Sequence, residues 1–428
     1  MIVHKRLKLS NGTRVILVPS ADTAAATVLA LYEVGSRYEA DANSGVSHFI
    51  EHMTFKGTKR RPSNLDIFRD MDSVGADYNA FTGKDHTGFY VKLQSDKLPL
   101  AVDLLEDMVY HSKFPEVELE AERAVIVEEI RMYEDNPIMH VDELMEMEMY
   151  RGSSLGRRIS GTEQTLAGIG RDDLIRYHQS YYVPSRTVLA VAGRFEEKAA
   201  MKMLEAKYGR KKPSKSGRSY AEFAVAKAGF KDIRVTLQTK ETEQIQLAAG
   251  FPAYPYGHKR LAALSVLSTI LGGNMSSRLS LEVRVKRGLA YFIHSSINPY
   301  QDVGGLVIQA GLTKARLEES VGIIIKEITR MKTENVTADE LVRAKDYLKG
   351  KLLLGLEDSS HLADWFARQE LLTGKIETVG EKLKRIFSVS AADIRWVAND
   401  IFRRQRLTMA LIGPYNDGAP FAKLAQEL

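Results

Sequence analysis

The sequence predicts an α+β protein of two homologous domains, each a mainly antiparallel sheet packed with helices. Three observations carry that expectation. The chain repeats itself at a shift of about 220 residues. Short alternating strands are interleaved with long amphipathic stretches. One basic segment containing Pro, Gly and Ser lies where the two copies meet. Composition agrees: of 428 residues, 44% are apolar and 27% charged, as in an ordinary globular chain. One core stops growing at about 250–300 residues, so more than one domain is required.

The amino terminus, MIVHKRLKLSNGTRVILVP, reads as a strand, a turn at Asn11-Gly12 and a second strand. Charges recur every second or third residue there, so the continuous apolar stretch of a secretory signal is missing. No uncharged apolar run reaches the length of about 18 residues that a spanning helix needs. A cytoplasmic protein without a membrane partner is expected. Further strands are expected at 28–32 and 89–93, and helices at 97–111 and 115–134. The last of these opens on Pro115 and acidic residues, as a helix start prefers.

The repeat is visible in three places in the same order. Arg14-Val-Ile-Leu lies on Arg234-Val-Thr-Leu. GFYVKLQSDKLPLAVDLLEDM from Gly88 lies on GLVIQAGLTKARLEESVGIII from Gly305. RTVLAVAG from Arg186 lies on RLTMALIG from Arg406, each after a helix-like segment. The expected organisation is therefore a domain at 1–208, a basic linker at 209–222 and a second domain at 223–428.

Sixty Lys and Arg stand against 55 Asp and Glu. The surplus is confined to GRKKPSKSGR, whose five cations are Arg210, Lys211, Lys212, Lys215 and Arg218. Outside it the charges balance, so the segment reads as a flexible, solvated linker and nucleic acid is not an expected partner. The chain has no cysteine. Disulfides, thiolate metal sites, iron–sulfur clusters and cysteine nucleophiles are excluded, and any metal must use His, Asp or Glu.

SGVSHFIEHMTF, residues 44–55, places His48, Glu51 and His52 at i, i+3 and i+4, on one face of a helix. Two imidazoles one turn apart can direct nitrogens at a single metal. The carboxylate beside them can deprotonate a bound water, which is the chemistry of a hydrolytic zinc site in the order HxxEH. A third ligand is needed. The richest supply of carboxylates is AERAVIVEEIRMYEDNP, where Glu122, Glu128 and Glu129 stand among apolar residues. An inward-facing acid there would need a partner or a metal. Glu122 and Glu129 are two turns apart on one face, but periodicity does not say which of Glu128 and Glu129 faces in.

HFIEHMTFKGT, with 76 residues between His52 and Glu129 in ERAVIVEEI, resembles the inverted zinc motif of the pitrilysin family of metallopeptidases. The family includes insulin-degrading enzyme, mitochondrial processing peptidase and bacterial relatives. The resemblance implies that His48, His52 and Glu129 hold one zinc per chain, with Glu51 as general base and Glu122 as a supporting carboxylate. It selects Glu129 over Glu128. GADYNAFTGKDHTGFY is similar to the family segment that forms a sheet edge for an extended peptide. By that match Asn79 and Ala80 contact the backbone near the scissile bond, and Phe55 lines the pocket for the residue after the cut.

In the second copy, LGGNMSSRLSLEVRVKRGLAY is similar to the family's carboxy-terminal signature, which ends in an Arg and a Tyr, here Arg284 and Tyr291. An Arg can hold a substrate carbonyl and a tyrosyl hydroxyl can donate to an oxyanion. At the repeat shift His48, Glu51 and His52 fall on Ser268, Leu271 and Gly272, and Glu129 falls near Lys351, so the second copy lacks the ligand set.

The resemblance thus implies a processing-peptidase-like zinc endopeptidase acting on extended or unfolded peptides. In the family four such domains enclose a chamber, which implies a dimer of this two-domain chain, a homodimer or a heterodimer. Two other readings compete with it. Family members that serve as scaffolding or noncatalytic subunits lose the zinc residues, which this chain keeps. S-ribosylhomocysteine lyase also uses an HxxEH helix, but its chemistry needs cysteine and its chain is far shorter.

Overall fold

The computed structural model describes every residue except 1, 215 and 226–229. Lys215, one of the five linker cations, lies outside the described residues. Strands β1 (Lys5–Lys8), β2 (Arg14–Pro19), β3 (Ala25–Tyr32), β4 (Asp77–Thr82), β5 (Thr87–Gln94) and β6 (Thr187–Gly193) form one sheet in the order β1-β2-β6-β3-β5-β4. Strands β7 (Arg234–Thr239), β8 (Gln244–Ala253), β9 (Ala290–Pro299), β10 (Gly304–Thr313) and β11 (Thr408–Gly413) form a second, ordered β7-β11-β8-β10-β9.

Without β1 the two orders correspond strand for strand. In each sheet one ladder is parallel, β2 with β6 and β7 with β11, and the rest are antiparallel. Register repeats as well. Arg14 pairs with Val188 and Arg234 with Thr408, both partners being displaced by 220 residues. The repeat read from the sequence is thus a repeat of topology.

The helices of the first copy are α1 (Val46–Thr54), α2 (Asn64–Asp72), α3 (Leu98–His111), α4 (Glu116–Asp135), α5 (Pro137–Met149), α6 (Glu163–Ala167), α7 (Arg171–Tyr181) and α8 (Glu197–Tyr208). Those of the second are α9 (Leu261–Gly272), α10 (Leu317–Thr333), α11 (Ala338–Gly355), α12 (Ser359–Thr373), α13 (Val379–Ser388), α14 (Ala391–Ile401) and α15 (Ala419–Leu424). Among the described residues no helix is long and apolar enough to cross a membrane.

The chain packs as two compact units, and each is assembled from separate stretches. One comprises Met1–Ile130, Arg157–Tyr220 and Leu352–Val379; the other comprises Arg131–Gly156, Ala221–Lys351 and Gly380–Leu428. The expected junction at 209–222 contains one changeover, between Tyr220 and Ala221. The other changeovers have no counterpart in the sequence reading.

In the first unit, side chains alternate across the sheet with the period of two that strands impose. Val15, Leu17, Val28, Ala30 and Phe89 pack on the face shared with α1, α3 and α7. Ile16, Val18, Leu29, Leu31 and Val188 point the opposite way. They are covered by Leu362, Phe366 and Leu371 of α12, a helix contributed by the second copy. In the second unit the mirror exchange occurs. Ala248, Val307, Ala410 and Ile412 are covered by Val141, Met145 and Met149 of α5, which the first copy contributes. Gly250 of β8 allows that approach, because a Cβ there would lie 2.2 Å from the Met145 sulfur. Each sheet is therefore sandwiched, with one covering helix taken from the other repeat.

The linker is less free than expected. Asn11 Nδ2 donates to the carbonyls of Tyr208 and Lys211 at 2.8 and 2.9 Å. The Lys211 ammonium lies 4.8 Å from the Tyr110 ring centroid. Gly217 N–H donates to Ser180 at 2.6 Å. Hydrogen bonds and ring contacts thus fasten much of the segment to the first unit, so "solvated linker" describes only part of it.

Candidate metal centre

Helix α1 carries its apolar residues at Val46, Phe49, Ile50 and Met53, all fully buried. That i, i+3, i+4, i+7 stripe fixes the rotation of the helix, and leaves His48, Glu51 and His52 together on its other side. The helix starts at Gly45, whose φ of 97° only glycine adopts readily. A Cβ there would also stand 2.6 Å from the Ser160 carbonyl oxygen. Glu39 accepts from the Gly45 and Ser47 N–H groups at 2.8 Å each, satisfying donors the helix start leaves open. Burial pushes the Glu39 carboxyl up to about 7 against the opposing effect of those bonds.

The second supporting helix is α4. Leu119, Glu122, Ile126 and Ile130 form its buried stripe, so a carboxylate sits in the core line. Glu129 is partly buried and Glu128 exposed, the distinction periodicity could not draw. The stripe is narrower than the apolar content of the segment suggests, because Val125 and Met132 are 51% and 55% exposed.

These two helices bring three ligand atoms together. His48 Nε2 and His52 Nε2 are 3.2 Å apart. Glu129 Oε2 is 3.7 Å from the first and 3.5 Å from the second. Bonds of about 2.0–2.1 Å to a tetrahedral zinc set neighbouring ligand atoms about 3.3–3.4 Å apart, so the triangle fits that ion. Among the described residues this is the one group of three acids or histidines with metal-holding geometry.

Protonation points the same way. His52 Nδ1 is 2.8 Å from Glu122 Oε1, which assigns the ring proton to Nδ1 and turns the Nε2 lone pair toward the cluster. Glu122 also binds the Lys56 ammonium. Burial resists ionisation of Glu122, yet those two bonds hold it below the usual carboxylate range. Burial and the neighbouring His52 push His48 down to about 4, so its ring is neutral, and its buried Nδ1 has no partner among the described residues. The two Nε2 atoms at 3.2 Å have room for one proton between them, and a shared cation would take that proton's place and meet both lone pairs. In the cation-free cluster, burial lowers His52, but its bonds to Glu122 and Glu129 outweigh this and raise it to about 9. Glu129 is held low by its bond with His52.

Glu51 is not one of the three converging groups. Its Oε2 accepts from Thr82 Oγ1 at 2.6 Å, and burial raises its carboxyl above the ordinary value. Thr82 belongs to β4, the outermost strand of its sheet. The same strand carries Asn79, exposed, and Ala80, whose N–H the Asn79 side chain caps at 2.9 Å. Phe55 closes α1 and stacks on Phe68 of α2 at 6.4 Å, which stacks on Tyr78 of β4 at 6.2 Å. Edge strand, aromatic row and cluster are thereby joined in one unit. Arg284 and Tyr291 belong to the other unit, on its surface. Arg284 contacts the Met275 sulfur at 3.1 Å, and Tyr291 is 72% exposed at the start of β9.

Sequence reasoning missed Thr82 and Lys56. A threonine on an outer strand has no periodic signal, although its place three residues after Asn79 in the same edge segment marks it as a neighbour of the site.

Known proteins resemble this chain along nearly its whole length. Residues 14–163 match the profile described as insulinase (peptidase family M16), and residues 168–348 that of the peptidase M16 inactive domain. A Bacillus subtilis protein named "Uncharacterized zinc protease YmxG" is 36% identical over 412 residues, spanning 96% of this chain and 98% of its own. The chain belongs to the insulinase, or M16, peptidase family. A protease from Helicobacter pylori shares the fold with a TM-score of 0.90 at 24% identity, covering 97% of this chain and all of that one. A chain of the Candida albicans complex III2 structure shares it at 0.81 and 16% identity, with 98% and 99% covered. The M16 match extends the two-copy reading: the profile called inactive falls largely on the copy that lacks the HxxEH set.

Proposed function

We propose that this M16 chain is a zinc endopeptidase that cleaves extended or unfolded peptides, with one zinc per chain held by His48, His52 and Glu129. The observation that carries the reading is the triangle of two imidazole nitrogens and one carboxylate oxygen at 3.2–3.7 Å beside Glu51, whose carboxylate is held by Thr82 and is not one of the three. When bound, zinc supplies a Lewis acid that polarises the scissile carbonyl and acidifies water.

The chain's own groups do the rest. Glu122 fixes the His52 tautomer so that Nε2 faces the cluster. Thr82 occupies Glu51 Oε2 and leaves Oε1 to take the proton of the attacking water. As the water oxygen bonds to the carbonyl carbon and the C–N bond breaks, Glu51 returns that proton to the leaving amine. The raised Glu51 carboxyl suits both halves of the transfer. The outer strand β4 offers backbone groups along which an extended peptide can lie, with Asn79 and Ala80 near the bond to be cut and Phe55 beside the residue after it. Arg284 and Tyr291 steady the oxyanion, supplied by the partner of a dimer that encloses the peptide.

The test separates chemistry from metal binding. Glu51→Gln keeps shape and removes basicity, so it should retain a full equivalent of zinc and lose peptide cleavage, scored by mass spectrometry on a mixed peptide library with and without chelator. More than about a tenth of wild-type kcat in that variant refutes the base role, which is worth about 10²-fold or more.

A further inference from the structure

Away from the metal centre, the first unit holds a cavity of about 460 Å³ lined by Arg60, Glu106, Tyr110, His111 and Lys207 together with the consecutive Arg210, Lys211 and Lys212. We propose that this cavity is a binding site for a polyvalent phosphate, either a free oligophosphate or the phosphate tail of a nucleotide.

The charge bookkeeping of the cavity is specific. Its acids and those just behind them are already engaged. Glu106 pairs with His111 at 2.9 Å and with Arg60 at 3.9 Å. Asp103 takes Arg60 at 2.7 Å, Arg61 at 3.0 Å and also Lys207. Asp107 takes Arg60 at 3.1 Å and Arg61 at 2.8 Å. Among the described residues no carboxylate forms an ion pair with Arg210, Lys211 or Lys212, although Glu106 is close enough for its charge to act on Lys211. These three belong to the segment that holds the whole cationic surplus of the sequence.

Lys211 is the decisive group. Its ammonium is partly withdrawn from water over the Tyr110 ring at 4.8 Å, and burial lowers its affinity for a proton. The charge of Glu106, already shared with His111 and Arg60, offsets only part of that burial, and an arriving anion recovers the rest. The backbone presenting it is fixed in advance by the bonds from Asn11 to the Tyr208 and Lys211 carbonyls, so little order has to be created on binding. A polyvalent phosphate concentrates its charge within reach of several cations at once and accepts bonds from guanidinium and ammonium alike. An acidic peptide spreads single charges about 3.3 Å per residue along its backbone, which matches three adjacent cations around one cavity less well. The volume suits a small ligand, at the lower end of the usual range of about 300–1,000 Å³.

Isothermal titration of the full chain with tripolyphosphate, ATP and AMP in low salt tests the assignment. Tripolyphosphate should bind saturably and weaken at least about tenfold both in Lys211→Ala and in Arg210→Ala/Lys212→Ala. It should stay unchanged in Lys259→Ala, which removes an exposed cation of the other unit. ATP binding as tightly as tripolyphosphate, with AMP weaker, identifies a nucleotide tail as an accepted source; tripolyphosphate alone identifies a free oligophosphate. Absence of saturable binding at about 1 mM ligand, or equal affinity in the wild type and both cavity variants, overturns the proposal. Tighter binding of an oligoglutamate than of tripolyphosphate overturns the choice of phosphate.

Discussion

Replacing Glu122 tests how much of the cluster's affinity is held behind the ligands. In the native arrangement His52 gives its Nδ1 proton to Glu122 at 2.8 Å, and Glu122 in turn neutralises Lys56, whose side chain is only 19% exposed. Glu122→Ala removes both effects. The ring loses the partner that fixes its tautomer, and an uncompensated ammonium is left beside a site meant for a cation. Loss of such an outer partner costs about 10- to 100-fold in metal affinity, about 1.4–2.7 kcal/mol, and the stranded lysine places Glu122→Ala near the upper end. Glu122→Gln keeps an amide oxygen for the His52 N–H but loses the charge, so it should fall near the lower end. Lys56→Met added to Glu122→Ala should recover part of the loss, because the repulsive charge is gone while the tautomer is still unsupported. Competition with a chromogenic chelator measures all four proteins. Zinc affinity in Glu122→Ala within about threefold of wild type would refute the reasoning, since neither effect could then be at work.

Thr82→Val deletes the donor to Glu51 and should lower kcat by about tenfold or more at unchanged zinc content, because a bond to a charged group is worth about 1.5–3 kcal/mol; Thr82→Ser should restore the rate, and equal rates for all three would sink the positioning role. Glu39 carries a carboxyl raised from 4.5 to about 7, so between those values the folded chain binds more protons than the unfolded one. Stability should therefore fall as pH rises from about 4.5 to about 7, by up to about 3 kcal/mol, and then level off. Glu39→Gln should flatten that slope in denaturant titrations, and an unchanged slope rejects the assignment. For the assembly, mixing inactive Glu51→Gln with inactive Arg284→Ala should regain activity once mixed dimers are demonstrated, since one site would combine intact groups from both chains; inactive mixed dimers would favour a site within one chain.

Much of this architecture was legible because it rests on patterns that short-range physics imposes. Period two marked β3 and β5, period 3.6 marked α3 and α4, and the 220-residue shift appears again in the pairing of Arg14 with Val188 and Arg234 with Thr408. His48, Glu51 and His52 share a helix face as their spacing requires. What stayed hidden depends on contacts far apart in the chain. Nothing local says that Phe366 covers Ile16, that Thr82 reaches Glu51, or that Asn11 pins Lys211. The choice between Glu128 and Glu129 was hidden for a related reason, because α4 is apolar on more than its buried side and its Val125 is half exposed.

The exchange of covering helices sets a timetable for synthesis. The last strand of the first sheet ends at Gly193, but α12, which shields Ile16, Val18, Leu29 and Leu31, is complete only at Thr373. About 180 further residues must be made, and at about 5–20 residues per second the nascent chain waits roughly 10–40 seconds with one apolar sheet face uncovered. Over the same interval α5 has been made but has no sheet to cover until β8 and β11 exist. The first sheet can be closed only once α12 is made, and the second only when β11 follows about 40 residues later, so the order of folding follows the far end of the message, and a chaperone that shelters bare sheet during that wait would act on the first copy above all.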